Sequence, residues 1–248
     1  MEIIAHRGAS HDAPENTLAS VNLAWRQHAD AVEIDVQFSK DGKLVVIHDN
    51  STRRTGRVNK KVSEQTLSEL RRLDVGRWRG RTWSGQRIPT LDEVLATVPH
   101  GKRLYVELKC GPDGLAEFIR IARGSVNQRP PLVAIGFSRQ MMTQLKAQMP
   151  ELEVCWISKF RRNWKTGRWT PGAAELIAAA QASGLDGVDL DASGPVNAAL
   201  VNPLKAAGLK VCVWTVDTPA RARKLIAAGV DGITTNRPGW LIEKLDSG

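Results

Sequence analysis

Two carboxylates, an Asp-Gly turn and an imidazole lie close together in "VEIDVQFSKDGKLVVIHDN", Val32 to Asn50. The alternating runs on either side of Asp41-Gly42 predict a hairpin with a two-residue loop. That loop sets Asp35 directly opposite His48. Glu33, Asp35 and His48 then share one face, while Val32, Ile34, Val36, Phe38, Val45 and Ile47 share the other. Two other strand-like ends carry comparable groups: His6 and Arg7 in "AHRG", and Glu107 and Lys109 in "YVELKC". Glu33, Asp35 and Glu107 make an all-oxygen set, which suits a hard divalent cation such as Mg²⁺ or Ca²⁺. Two histidines beside such a centre can divide acid and base roles near neutral pH. Arg7 and Lys109 can hold an anionic phosphate, the one as a fork and the other as a point charge.

Such a cluster needs a scaffold that brings strand ends together. Short apolar runs at Ile3–Ala5, Ala31–Gln37, Leu104–Leu108, Leu132–Phe137, Leu152–Ile157, Gly187–Leu190, Lys210–Thr215 and Gly232–Thr235 read as strands. Helix-period segments follow them, roughly at 16–28, 115–123, 139–149, 171–183, 196–207, 219–228 and 238–245. Repeated βα units over 248 residues predict an α/β fold, a single TIM (β/α)8 barrel, rather than an open doubly wound sheet. The connection after the second strand is long and contains a small basic insertion at 49–90, with a helix expected over Glu64–Leu73. Taken alone, the polar hairpin face is the solvated side of a ribbon. In a barrel the outer face packs on helices, so Glu33 and Asp35 must point inward near the C-terminal rim. Charge there is costly unless a cation or a substrate satisfies it.

Composition narrows the classes of function. The formal charge is +9, and residues 50–90 hold eleven Lys or Arg against Glu64, Glu69 and Asp74. A second basic and aromatic run, "SKFRRNWKTGRW", spans Ser158–Trp169. Both suit either a solvated face or a field that steers an anionic substrate. A nucleic-acid partner is disfavoured, because inward carboxylates at a barrel mouth repel phosphate unless a metal is present. No apolar run approaches the roughly 18 residues of a membrane span and no leader pattern opens the sequence, so a cytoplasmic setting without membrane insertion is expected. Cys110, Cys155 and Cys212 lack metal-site spacing and read as reduced packing residues. Nothing in the sequence sets an oligomeric state.

The motifs taken in order resemble the glycerophosphodiester phosphodiesterase family. "AHRGASHDAPENTLAS" is similar to its H-R-G and P-E-N-T signature, "VEIDV" to its E-x-D, and "VVIHD" to its second His-Asp. "IPTLDEVL", "VELK", "VWTVD" and "GVDGITTNRP" extend the likeness along the chain, although His28 stands where the family commonly has Gly. The resemblance implies a divalent cation on Glu33, Asp35 and Glu107, with His6 and His48 as acid/base pair. It also implies a small-molecule glycerophosphodiester substrate, cleaved to sn-glycerol 3-phosphate and an alcohol. Trp214 resembles a position lining the substrate pocket, although a strand Trp is as often core. A lysophospholipase D type activity on lipid substrates is the alternative, motivated by the Arg/Trp run. Glu15, Asn16, Asp217 and Asn236 read as capping residues.

Overall fold

Residues 1–124 and 132–247 are described by the computed structural model. Its strands are β1 (Glu2–His6), β2 (Ala31–Phe38), β3 (Leu44–Val46), β4 (Arg103–Leu108), β5 (Leu132–Gly136), β6 (Glu153–Ser158), β7 (Arg161–Arg162), β8 (Trp169–Thr170), β9 (Gly187–Asp191), β10 (Lys210–Trp214) and β11 (Gly232–Thr235). Eight of them pair in parallel in the order β1-β2-β4-β5-β6-β9-β10-β11, and β11 pairs back onto β1. The eight strands expected from the sequence are these eight, to within a residue at each end.

Alternation along each strand builds two cores. Outward residues such as Ile3, Val32, Ile34, Val106, Val154, Val188, Val211 and Ile233 pack beneath the helical layer, including Phe118, Met142, Leu176 and Leu204. Inward residues Ile4, Tyr105, Val133, Ile135, Cys155, Ile157 and Cys212 fill the barrel. Full burial of one such aliphatic side chain contributes roughly 1.5–3 kcal/mol. The N-terminal end is sealed by charge. Arg103 bonds Glu2 (3.1 Å) and Glu153, Lys210 pairs with Glu2 (3.1 Å) and Glu153 (3.0 Å), and the Tyr105 hydroxyl donates to Glu2 Oε2 (2.6 Å).

The hairpin departs from its expected register. Val36 faces Val46, Gln37 faces Val45, and Phe38 faces Leu44, so the loop has three residues, Lys40-Asp41-Gly42. Gly42 takes φ +76° at the last of them, the left-handed site of a three-residue hairpin. Asp41 accepts from Ser39 Oγ (2.7 Å) and the Leu67 amide (2.9 Å), tying the loop to the insertion rather than closing a two-residue turn. Asp35 therefore lies opposite Ile47, whose amide donates to the Asp35 carbonyl (3.0 Å). Val45 and Ile47 turn onto the insertion's own core of Val62, Leu70, Val75 and Ile88, while Leu44 and Val46 join the helical layer. His48 lies beyond β3, where the chain leaves the strand.

The insertion holds less helix than expected. A 3-10 turn at Val62–Glu64 and one turn at Leu67–Leu70 replace the single helix over Glu64–Leu73. Gln65 breaks it: its side-chain amide donates to Thr52 Oγ1, Lys60 O and Lys61 O, and Thr66 then caps the next turn. Beyond it, Asp74 accepts from the amides of Gly76, Arg77 and Gly85 and from Ser84 Oγ, which hold its carboxyl far below the usual range.

The helix Leu18–Arg26 starts at Thr17, which forms a capping box with Ser20, so neither Glu15 nor Asn16 caps it. It stops at His28, with φ +64°, where the His28 amide reaches Trp25 O and the Ala29 amide reaches Ala24 O. That left-handed position costs a β-carbon-bearing residue about 1 kcal/mol relative to Gly. His28→Gly is thus expected to raise Tm by about 2–4 °C without changing activity. Thermal unfolding of the two proteins checks this; a lower Tm would refute it.

Candidate active site

The C-terminal mouth is built by the inward parity of the strands. His6, Glu33, Asp35 and Glu107 come from within β1, β2 and β4, while Lys109, Phe137 and Lys159 continue β4, β5 and β6 just past their ends. All of these but Asp35, with Arg7, His48, Asp189, Trp214 and Thr234, line a cavity of about 120 Å³, and Asp35 lies behind Lys109, 3.3 Å from its Nζ. The structure thereby gathers all eight residues expected from the sequence at one end of the barrel.

Glu33, Asp35 and Glu107 each offer an oxygen within 4.8 Å of the others'. Lys109 Nζ sits among them, 2.5 Å from Glu107 Oε1 and 3.3 Å from Asp35 Oδ1. Arg7 Nε is 3.1 Å from Asp35 Oδ2, and the Arg7 amide donates to Glu33 Oε2 (3.0 Å). Burial and the neighbouring carboxylates push the Glu33 carboxyl well above its usual range, and burial with the Asp35 charge pushes Glu107 up to about 7. Burial acts on Asp35 in the same sense, but Arg7 and Lys109 outweigh it and hold that carboxyl low. Glu33 Oε1 and Asp35 Oδ1 are buried without a hydrogen bond, and the latter's contact with Lys109 is charge proximity alone. Three hard oxygen donors, two of them unsatisfied, fit a divalent cation.

The two histidines are wired differently. His6 Nδ1 is 2.7 Å from Asn236 Oδ1, which also accepts from Ser10 Oγ (2.9 Å). The Asn236 amide nitrogen donates to Asp217 Oδ2 (2.6 Å), which fixes its oxygen toward His6 and puts the ring proton on Nδ1. His6 Nε2 is thereby left as a lone pair, 4.0 Å from Glu33 Oε2. Burial and the Arg7 charge lower the His6 pKa, so the ring is neutral at pH 7. His48 Nδ1 instead meets a carboxylate, Asp49 Oδ1, at 2.6 Å. Asp49 sets a carboxylate against the His48 ring, whereas Asn236 sets a neutral amide oxygen against that of His6.

Neither Glu15 nor Asn16 matches the expected capping role. Asn16, at φ +57°, donates to Asp35 Oδ2 (2.8 Å) and accepts from the Asp35 amide (3.2 Å), clamping that side chain. Glu15 bonds Arg7 Nη1 (2.9 Å) and takes both ends of Arg54 (2.6 and 2.9 Å). Arg54 in turn holds Asp49 through Nε (2.8 Å) and Nη2 (3.1 Å). A continuous chain, Arg7-Glu15-Arg54-Asp49-His48, thus ties the first strand's cation to the second histidine through the insertion. Gly8 lets the turn after β1 fold this tightly: with φ +77°, its β-carbon would meet Ser20 C at 2.5 Å. Removing Arg54 unties both ends. Arg54→Met is expected to lower kcat about 10–100-fold with little change in KM, and Arg54→Lys, lacking the double fork, restores little of it. Steady-state kinetics check this, and unchanged kcat in Arg54→Met would refute it.

Asp189 escaped the sequence reading. It faces the cavity from β9, its Oδ1 has no partner, and burial with the Glu107 charge pushes its carboxyl up to about 8. Asp217 and Asn236, expected as caps, instead position His6: Asn236 meets its Nδ1 and Asp217 holds Asn236. Parity carries the missing signal: counting inward positions one step beyond each strand end reaches Phe137, Lys159 and Asn236.

An eight-stranded parallel barrel with a carboxylate triad, three cations and two histidines at its C-terminal mouth has the composition of a phosphodiester-cleaving centre. Residues 6–240 match the model of the glycerophosphoryl diester phosphodiesterase family. A glycerophosphodiester phosphodiesterase of Caldanaerobacter subterraneus subsp. tengcongensis is 33% identical, over 99% of this chain and 98% of that protein. Among solved structures, an Oleispira antarctica phosphodiesterase in complex with the product sn-glycerol-3-phosphate superposes with a TM-score of 0.87, at 30% identity over 99% of this chain and 97% of that one. A glycerophosphodiester phosphodiesterase from Agrobacterium tumefaciens gives 0.78 at 27% identity, covering 98% and 99%. The chain belongs to the glycerophosphoryl diester phosphodiesterase family and is an enzyme of that class.

Proposed function

We propose that the protein hydrolyses glycerophosphodiesters to sn-glycerol 3-phosphate and an alcohol, using Glu33, Asp35 and Glu107 to hold a divalent cation, Mg²⁺ or Ca²⁺. The observation that carries this reading is the pairing of two unsatisfied carboxylate oxygens with two oppositely wired histidines in one cavity. The cation, when bound, would supply Lewis-acid neutralisation of phosphate charge. Arg7 and Lys109 orient the phosphate oxygens, and Trp214 packs against the substrate. His6 Nε2 takes the proton from the attacking hydroxyl, either water, which gives sn-glycerol 3-phosphate directly, or the substrate's own glycerol 2-hydroxyl, which gives a cyclic 1,2-phosphate that water then opens to the same product. His48 gives a proton to the alkoxide as its bond to phosphorus breaks, and Asp49 at Nδ1 orients the ring. Three buried free thiols support a reducing, cytoplasmic setting. Among the described residues no helix is long and apolar enough to cross a membrane. The relatives are named for glycerophosphodiesters, so the lipid-substrate alternative gains no support.

The test is release of glycerol 3-phosphate from a panel of glycerophosphodiesters by the purified protein, with chelator and with added Mg²⁺, Ca²⁺ or Mn²⁺. Release that stops with chelator and returns with a cation is expected. No release from any substrate under any metal would overturn the reading.

A further inference from the structure

The cavity continues past Phe137 into an open groove of about 560 Å³, lined by Trp156, Lys159, Arg161, Thr170 and Glu175 among others. At the junction Phe137 and Trp214 stand edge to face, their centroids 5.9 Å apart. Such a corner would ordinarily suit a quaternary ammonium group. Here a lysine already occupies it: Lys159 Nζ lies 5.3 Å from the Phe137 centroid and 5.4 Å from that of Trp214, and Lys109 Nζ lies 5.9 Å from the Phe137 centroid. Among the described residues neither Lys159 nor Arg161 has an ion-pair partner. Glu175, the acid of the groove, is engaged by the Gly172 amide at 2.6 Å. From Lys159 through Pro171 the sequence carries Lys159, Arg161, Arg162, Lys165 and Arg168 and no acid.

The geometry points to this groove as the leaving-group subsite, selecting substrates whose alcohol carries an additional anionic group, with Lys159 as its specificity-determining residue. The inference rests on the hydrolase reading above and names the substrate class of that site. A substrate whose phosphate lies by Arg7 and Lys109 has its glycerol and its alcohol on opposite sides of phosphorus. The groove receives one of them, and its free cations attract a second negative charge. A choline headgroup would have to displace Lys159 from the aromatic corner and then face two unneutralised cations. A phosphate-bearing polyol meets the same cations as partners, and the volume falls within that of ordinary ligand sites.

The experiment measures kcat/KM of the full-length, cation-loaded protein on glycerophosphocholine, glycerophosphoglycerol and glycerophosphoinositol 4-phosphate. The wild type is expected to prefer the anionic substrate over the choline ester by about tenfold, a preference that shrinks in high salt. Lys159→Met should lower the anionic-to-cationic ratio about tenfold, and Lys159→Arg should keep it. A choline ester ranked first by the wild type would overturn the inference. So would a loss in Lys159→Met of equal size on all three substrates, which would assign Lys159 to the common phosphate. Turnover of none of the three would instead overturn the hydrolase reading and the subsite with it.

Discussion

Asp35→Asn is expected to lower kcat/KM by about 10³-fold and to abolish the rise in Tm that a divalent cation gives the wild type. Asp35 is the hub of the mouth: fully buried, paired with Arg7 and Lys109, and clamped by Asn16 through both side chain and backbone. Asn fills the same volume, so the barrel keeps its packing, but the site loses the one triad carboxyl that is held ionised against burial. Without that anion Arg7 and Lys109 lack their shared counter-charge, and a cation meets one anionic donor fewer. For the wild type, a cation at about 100 times its Kd stabilises the fold by roughly 2.7 kcal/mol. That corresponds to about 5–10 °C in Tm for a chain of this size. Thermal unfolding with and without cation reads this independently of turnover. A wild-type Tm response in Asp35→Asn would remove Asp35 from the cation site.

Loss of either histidine is expected to lower kcat about 10²–10⁴-fold, and the two losses should differ in kind. His6, with a neutral Asn236 at Nδ1 and its pKa lowered by burial and Arg7, is arranged to accept a proton. His48, with Asp49 at Nδ1, is arranged to give one. A glycerophosphodiester with p-nitrophenol as leaving group needs little protonation on departure. The His48→Gln deficit should therefore shrink on it, while the His6→Gln deficit should not. At saturating cation, which keeps Glu33 and Glu107 ionised, the pH profile follows the same signs: His6 takes its proton when unprotonated and its pKa is lowered, so its acid limb of kcat/KM belongs below pH 6.5 and should vanish in His6→Gln. Equal deficits on both leaving groups, or full activity in either folded variant, would dissolve the assignment.

The barrel was legible because period-2 alternation in strands and 3.6-period apolar spacing in helices leave their marks directly in the sequence, and here the two interleave. The inward carboxylates followed from the same parity. The hairpin register did not, since Asp-Gly serves both a two-residue loop and, with Lys40 before it, a three-residue one. What decides is Asp41's bond to Leu67, a residue far along the chain. For the same reason Glu15, Arg54 and Asp49 could not be joined beforehand. Each is an ordinary surface charge until the insertion folds back toward the mouth and brings Arg54 between Glu15 and Asp49. Asn16 departs from its expected role because, although Asn next to a helix start is usually a cap, here Thr17 takes that place and frees Asn16 for Asp35.

The ionic seal at the barrel floor has a bearing on how such an enzyme can change. Glu2, Glu153, Arg103 and Lys210 cancel one another locally, and a belt of Ile4, Val133, Ile135, Cys155, Ile157 and Cys212 separates them from the mouth. The scaffold and the catalytic end thus run on separate electrical circuits. A charge altered at the rim, at Lys159 for instance, finds no partner in the floor to unsettle. Substrate preference can drift by single charge substitutions while the inherited fold stays as it was.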